Sequence, residues 1–95
     1  MNDTLRVLII DDSPEDREVM RRLLLTGSER QYLFMEATTG VEAIKLLSEN
    51  KADSFDCILL DYHLPDYDAP ELLSALGCLN SPCCPVVVVT GLASL

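Results

Sequence analysis

The sequence predicts an α/β domain built on a doubly wound parallel sheet, and three observations predict it. Short aliphatic and β-branched runs alternate with amphipathic helical stretches in the order β-α-β-α-β-α-β. Two of those runs, Leu5–Ile10 (LRVLII) and residues 85–89 (PVVVV), are apolar on both faces, as strands inside a parallel sheet are. No linker, repeat or low-complexity stretch divides the 95 residues, so a single domain over 1–95 is expected.

Each element has a local reason. Leu5–Ile10 stops at Asp11-Asp12, and Ser13-Pro14-Glu15-Asp16 opens a helix with a capping hydroxyl, a first-turn proline and acids facing the positive end of the dipole. Val19, Met20, Leu23 and Leu24 fall at helical spacing and are expected to face inward, with Arg17, Glu18, Arg21 and Arg22 off that stripe; Gly27 supplies a left-handed stop after Thr26. Tyr32–Ala37 (YLFMEA) reads as a second strand, placed nearer the edge by Glu36. Thr39 and Glu42 form a capping box for a helix whose stripe is Val41, Ala43, Ile44 and Leu47, with Asn50 as its stop. Residues 57–60 (CILL) form a buried strand closed by Asp61. After the loop 62–68, a third helix starts around Ala69-Pro70-Glu71 with Leu72, Leu73 and Leu76 inward, and Asn80-Ser81-Pro82 breaks it before the last strand.

Composition narrows function. Seven Lys and Arg against 16 Asp and Glu give a formal charge of −9, which repels nucleic-acid backbones and anionic membranes and favours cations or basic partners. No apolar run approaches a membrane span and the Met1-Asn2-Asp3 start lacks the features of an export signal, so a cytoplasmic protein is expected. Cys57, Cys78, Cys83 and Cys84 are then expected as reduced thiols, without the paired spacing of a structural zinc site.

In a doubly wound sheet, function sits at the carboxyl ends of the strands. Those ends bear Asp11 and Asp12 after strand one, Asp61 after strand three and Thr90 after strand four. Any one of these is commonly a cap or turn former, but three converging carboxylates repel one another unless a cation neutralises them. Hard oxygen ligands suit Mg²⁺, and Mg²⁺ suits phosphate chemistry. Asp61, alone at its strand end with an open loop beyond, is placed to attack phosphorus; Asp11 and Asp12 are placed to hold the metal, and the Thr90 hydroxyl to bond a phosphoryl oxygen. Asp66 and Asp68 read as solvated loop acids.

The segments Ile9-Ile10-Asp11-Asp12-Ser13, Leu59-Leu60-Asp61-Tyr62-His63-Leu64-Pro65 and Val88-Val89-Thr90-Gly91 together resemble the receiver domain of two-component response regulators. The resemblance implies a flavodoxin-like fold with strand order 2-1-3-4 for the strands present, Asp61 as acceptor of a phosphoryl group from a histidine kinase or histidine phosphotransfer protein, and Thr90 as the switch hydroxyl. It further implies that Asp11, Asp12, Asp61 and the main-chain carbonyl of His63 hold Mg²⁺. The His63 side chain is then expected to tune the lifetime of the phosphoryl group, while Tyr32, Tyr62 and Tyr67 read most simply as partial core or surface aromatics, with gating of access to the acceptor as the alternative for Tyr62.

The sequence departs from that family at Ala69, where a glycine is usual, and at Gly91, where alanine is frequent. Receivers also continue into a fourth helix, a fifth strand bearing a lysine and a fifth helix. The only lysines here are Lys45 and Lys51, so an incomplete receiver is expected, with an output domain in a longer natural chain or a homodimer formed through the exposed fourth strand. Two rivals stand beside the phosphoacceptor: a degenerate receiver serving as a binding or dimerisation module, and a Mg²⁺-dependent phosphatase. The phosphatases place an Asp-x-Asp pair after strand one, which this chain lacks, and the absence of a phosphate loop there argues against a flavodoxin-type cofactor site.

Overall fold

The computed structural model describes residues 4–27, 29–50, 55–77 and 85–90. The chain runs β1 (Leu5–Ile10), α1 (Pro14–Leu25), β2 (Tyr32–Ala37), α2 (Gly40–Asn50), β3 (Cys57–Asp61), α3 (Ala69–Gly77) and β4 (Val86–Val89). The four strands form a parallel sheet in the order β2-β1-β3-β4. The helices lie on both faces, as right-handed crossovers between parallel strands require.

Strand alternation divides the interior in two. Leu8, Ile10, Ile58 and Leu60 point to the side covered by Ala43 and Leu47 of α2 and by Leu72 and Leu76 of α3. Val7, Ile9 and Leu59 point to the other side, where Met20 of α1 covers them. The sequence reading holds for β1 as a central strand and for β2 at the edge, where Tyr32 and Phe34 stack with centroids 5.6 Å apart.

Helix ends follow the predicted chemistry. Ser13 Oγ accepts the Asp16 amide at 3.2 Å, a cap contributing about 1 kcal/mol, and Gly27 takes φ 72° beyond α1. Thr39 Oγ1 accepts the Glu42 amide at 3.1 Å, while Glu42 reaches back to the Thr38 amide at 3.0 Å, one residue earlier than a simple capping box.

The helical stripes are narrower than their periodicity suggests. Val19 and Leu23 are exposed, and the inward line of α1 is Arg17, Met20 and the half-buried Leu24. Arg17 joins it because its guanidinium has partners beneath the helix: Nη1 donates to the Asp11 carbonyl at 2.7 Å and Nε to Glu36 at 2.6 Å. Val41 on α2 and Leu73 on α3 are likewise exposed, since a helix laid on a sheet buries only the residues directly above it. In β4, Val87 and Val88 are 48% and 42% exposed, so the valine run is an edge among the described residues and not a strand covered on both faces. The helix break at Asn80-Ser81-Pro82, the cysteines Cys78, Cys83 and Cys84, and Gly91 lie outside the described residues; Cys57 is a free, half-buried thiol whose pKa burial pushes up.

Candidate functional site

Register brings the acids together. Ile10 pairs with Leu60, so Asp11 and Asp61 follow side by side at the carboxyl ends of the two central strands. By alternation both leave the sheet on the α1 side, and Asp12 begins the turn into that helix. Carboxylate oxygens of Asp11, Asp12 and Asp61 all lie within 4.8 Å of one another. Asp11 is buried, Asp61 half-buried and Asp12 exposed, so the cluster opens outward past Asp12.

Crowding sets the electrostatics. Burial, and then the charges of Asp61, Asp16 and Asp12, raise the Asp11 carboxyl from 3.8 to about 6, against the pull of the Ser13 amide, which donates to Oδ1 at 2.9 Å. Asp61 is also raised, mainly by burial and further by Asp12 and Asp16, while the His63 amide bonded to its carboxylate works the other way. Both groups therefore resist ionisation together, which is the condition a divalent cation relieves.

The sequence reading did not include Asp16 in this site. Its Oδ1 is buried with no hydrogen-bond partner, and its charge acts on both Asp11 and Asp61. A buried carboxylate oxygen with no donor, whose charge is felt by Asp11 and Asp61, fits a place where a hydrated cation supplies the missing donors. The sequence signal is present in the four acids among residues 11–16, but a first-turn acid also serves the helix dipole, and that role masks it.

The loop beyond Asp61 is a hairpin. His63 and Asp68 form an isolated antiparallel bridge in which the Leu64 amide donates to the Tyr67 carbonyl at 3.0 Å and the Ala69 amide to the Tyr62 carbonyl at 2.8 Å. This pattern leaves the N–H and C=O of His63 itself outside the bridge, and the N–H is bonded to Asp61. The His63 ring is exposed, with Nδ1 3.5 Å from Asp68 and its face edge-on to Tyr62. Thr90 follows Val89, the register partner of Asp61, and is exposed. Asp66 is exposed, as expected of a solvated acid, and in addition accepts the Gly40 and Val41 amides at 2.8 and 3.0 Å. Asp68 is exposed as expected, although its amide donates to Glu71 at 3.0 Å at the start of α3.

The family model of the response regulator receiver domain matches residues 7–95. The chain belongs to the response regulator receiver domains. Among its receiver relatives, the two-component response regulator ORR24 of Oryza sativa subsp. indica is 40% identical over 73 residues, covering 77% of this chain and 11% of that protein. The two-component response regulator ORR1 of Oryza sativa subsp. japonica is 38% identical over 88 residues, covering 88% of this chain and 38% of that protein. This chain thus spans well under half the length of either relative. A chain of the CheX-CheY-BeF3-Mg²⁺ complex from Borrelia burgdorferi superposes with a TM-score of 0.74 at 22% identity, covering 94% of this chain and 63% of that one, a likeness of receiver fold. No helix among the described residues is long and apolar enough to cross a membrane.

Proposed function

We propose that this receiver is the phosphoacceptor of a cytoplasmic two-component relay, taking a phosphoryl group onto Asp61 from the phosphohistidine of a histidine kinase or histidine phosphotransfer protein in a Mg²⁺-dependent reaction. The observation that supports this most is the meeting of three carboxylates within 4.8 Å, one of them half-exposed at the end of a central strand. The Borrelia complex, which joins a chain of this fold with BeF3 and Mg²⁺, is in keeping with it.

Asp11, Asp12, Asp61 and the main-chain carbonyl of His63 are the groups we assign to Mg²⁺. Bound there, the ion would supply positive charge against the equatorial oxygens of the transferring group. Asp61 must be ionised to act, and burial holds its pKa up; compensating the neighbouring charges is what frees it as a nucleophile. One Asp61 carboxylate oxygen forms a bond to phosphorus as the phosphorus–nitrogen bond to the donor imidazole breaks, the electron pair leaving on nitrogen. The product is a mixed anhydride on Asp61. The His63 amide, bonded to the Asp61 carboxylate, helps to hold it in place, and the Thr90 hydroxyl, one residue beyond the Asp61–Val89 pair, donates to a phosphoryl oxygen.

Intact-mass measurement after incubation with acetyl phosphate tests the reading. We expect one added phosphoryl group that requires Mg²⁺ and is absent in Asp61→Asn. Equal mass gain in that variant, or none in folded wild-type protein with Mg²⁺ present, would overturn it.

A further inference from the structure

The loop that carries His63 over Asp61 is fastened to an element with no part in the site. Asp66, at the tip of the hairpin, spans two successive backbone donors at the start of α2, 26 and 25 residues earlier in the chain. The next residue, Tyr67, covers Gly40 closely: a Cβ at Gly40 would stand 2.9 Å from Tyr67 Cγ and nearer still to Cδ2. One face of the hairpin tip is therefore locked by a charge-assisted pair of hydrogen bonds and the other by a ring packed on bare backbone. Burial alone would raise Asp66, yet the backbone donors hold its carboxyl below the usual range, so it stays charged across neutral pH.

The lock is mechanically connected to the acid cluster. The Leu64 and Ala69 amides tie the two arms of the hairpin together, and the stem emerges from Asp61 itself, whose partner residue Val89 also accepts the Tyr62 amide at 3.1 Å. Fixing the tip leaves His63 little freedom, and His63 is the residue whose N–H meets the Asp61 carboxylate. Without the tip anchored, a hairpin closed by two backbone bonds is free to pivot about Asp61.

We propose that Asp66 is a positioning residue for the phosphoacceptor site, acting through the hairpin to hold the His63 backbone in place at Asp61, with Tyr67 on Gly40 as its second point of attachment. The proposal rests on the phosphoacceptor reading, and it makes the first turn of α2 part of the same rigid unit as the acceptor loop.

The test is made on the 95-residue chain with Mg²⁺ alone, by calorimetric titration, and then with acetyl phosphate. Asp66→Ala is expected to weaken Mg²⁺ binding about tenfold, the lower end for removing a group that orients a metal ligand. It should also shift and broaden the His63 amide resonance. Asp66→Asn keeps one acceptor oxygen and is expected to recover most of the binding, and Gly40→Ala, which displaces the Tyr67 ring with the carboxylate intact, to weaken it by a smaller factor. Leu47→Ala destabilises α2 from its core side, seven residues beyond the Gly40 attachment and with Asp66 and its two amide donors intact, and should leave Mg²⁺ affinity in place. Mg²⁺ binding that is unchanged in Asp66→Ala, or weakened as much by Leu47→Ala, overturns the positioning role while the phosphoacceptor reading stands. Wild-type protein that binds no Mg²⁺ overturns the reading beneath both. Should Asp66→Ala not fold, Asp66→Asn and Gly40→Ala decide: wild-type affinity and an unmoved His63 resonance in both would refute it.

Discussion

Replacing Asp11 by Asn should make the metal-free protein more stable, by an amount that depends on pH. The Asp11 carboxyl is raised from 3.8 to about 6, with burial as the largest cause. In the unfolded chain it ionises near 3.8, so between these values the folded state holds a proton that the unfolded state has lost, and stability falls as pH rises through that window. The full shift corresponds to about 3 kcal/mol above pH 7, about 1.5 kcal/mol at pH 5 and almost nothing at pH 3. Asp11→Asn removes the charge yet keeps an oxygen to accept the Ser13 amide, so its advantage in urea unfolding without Mg²⁺ should follow that progression. Adding Mg²⁺ at a hundred times its dissociation constant should return about 2.7 kcal/mol to the wild type and little to the variant. A variant no more stable than wild type at pH 7.5, or with the same advantage at all three pH values, would refute the electrostatic reasoning.

Other consequences are simpler to check. Leu72→Ala empties a fully buried position between α3 and the sheet and should cost about 2–5 kcal/mol in denaturant unfolding. Glu36→Gln weakens pairing with both Arg17 and Arg21; because the carboxylate is 33% exposed, the loss should be about 1 kcal/mol or less and should shrink further in molar salt. Gly27→Ala meets no steric neighbour but sits at φ 72°, so a loss of about 1 kcal/mol is expected from backbone conformation alone, read as a lower thermal midpoint.

The parallel sheet and the gathering of Asp11, Asp12 and Asp61 at one end of it were legible in the sequence because both follow from local patterns, whereas the strand order 2-1-3-4 followed only from the resemblance to receiver domains. Apolar runs fix the strands, alternation with helices fixes a parallel sheet, and residues just after strands arrive at the same end of it. Periodicity failed where burial depends on what a helix lies upon. Val19, Leu23, Val41 and Leu73 obey helical spacing yet face outward, and Arg17 faces inward because the Asp11 carbonyl and Glu36 await it. Asp66 was invisible for a different reason: its partners are backbone amides at Gly40 and Val41, and backbone donors leave no mark on side-chain patterns. Asp16 is obscured because an acid in the first turn reads as a partner of the helix dipole, while its charge also acts on Asp11 and Asp61.

The most direct test of the central claim is to locate the phosphoryl group. After reaction with acetyl phosphate and Mg²⁺, hydroxylamine should release phosphate and leave a hydroxamate on the peptide that contains Asp61, with Asp11, Asp12 and Asp16 unmodified. A hydroxamate on one of those other acids, or a phosphoryl group that survives hydroxylamine, would contradict it.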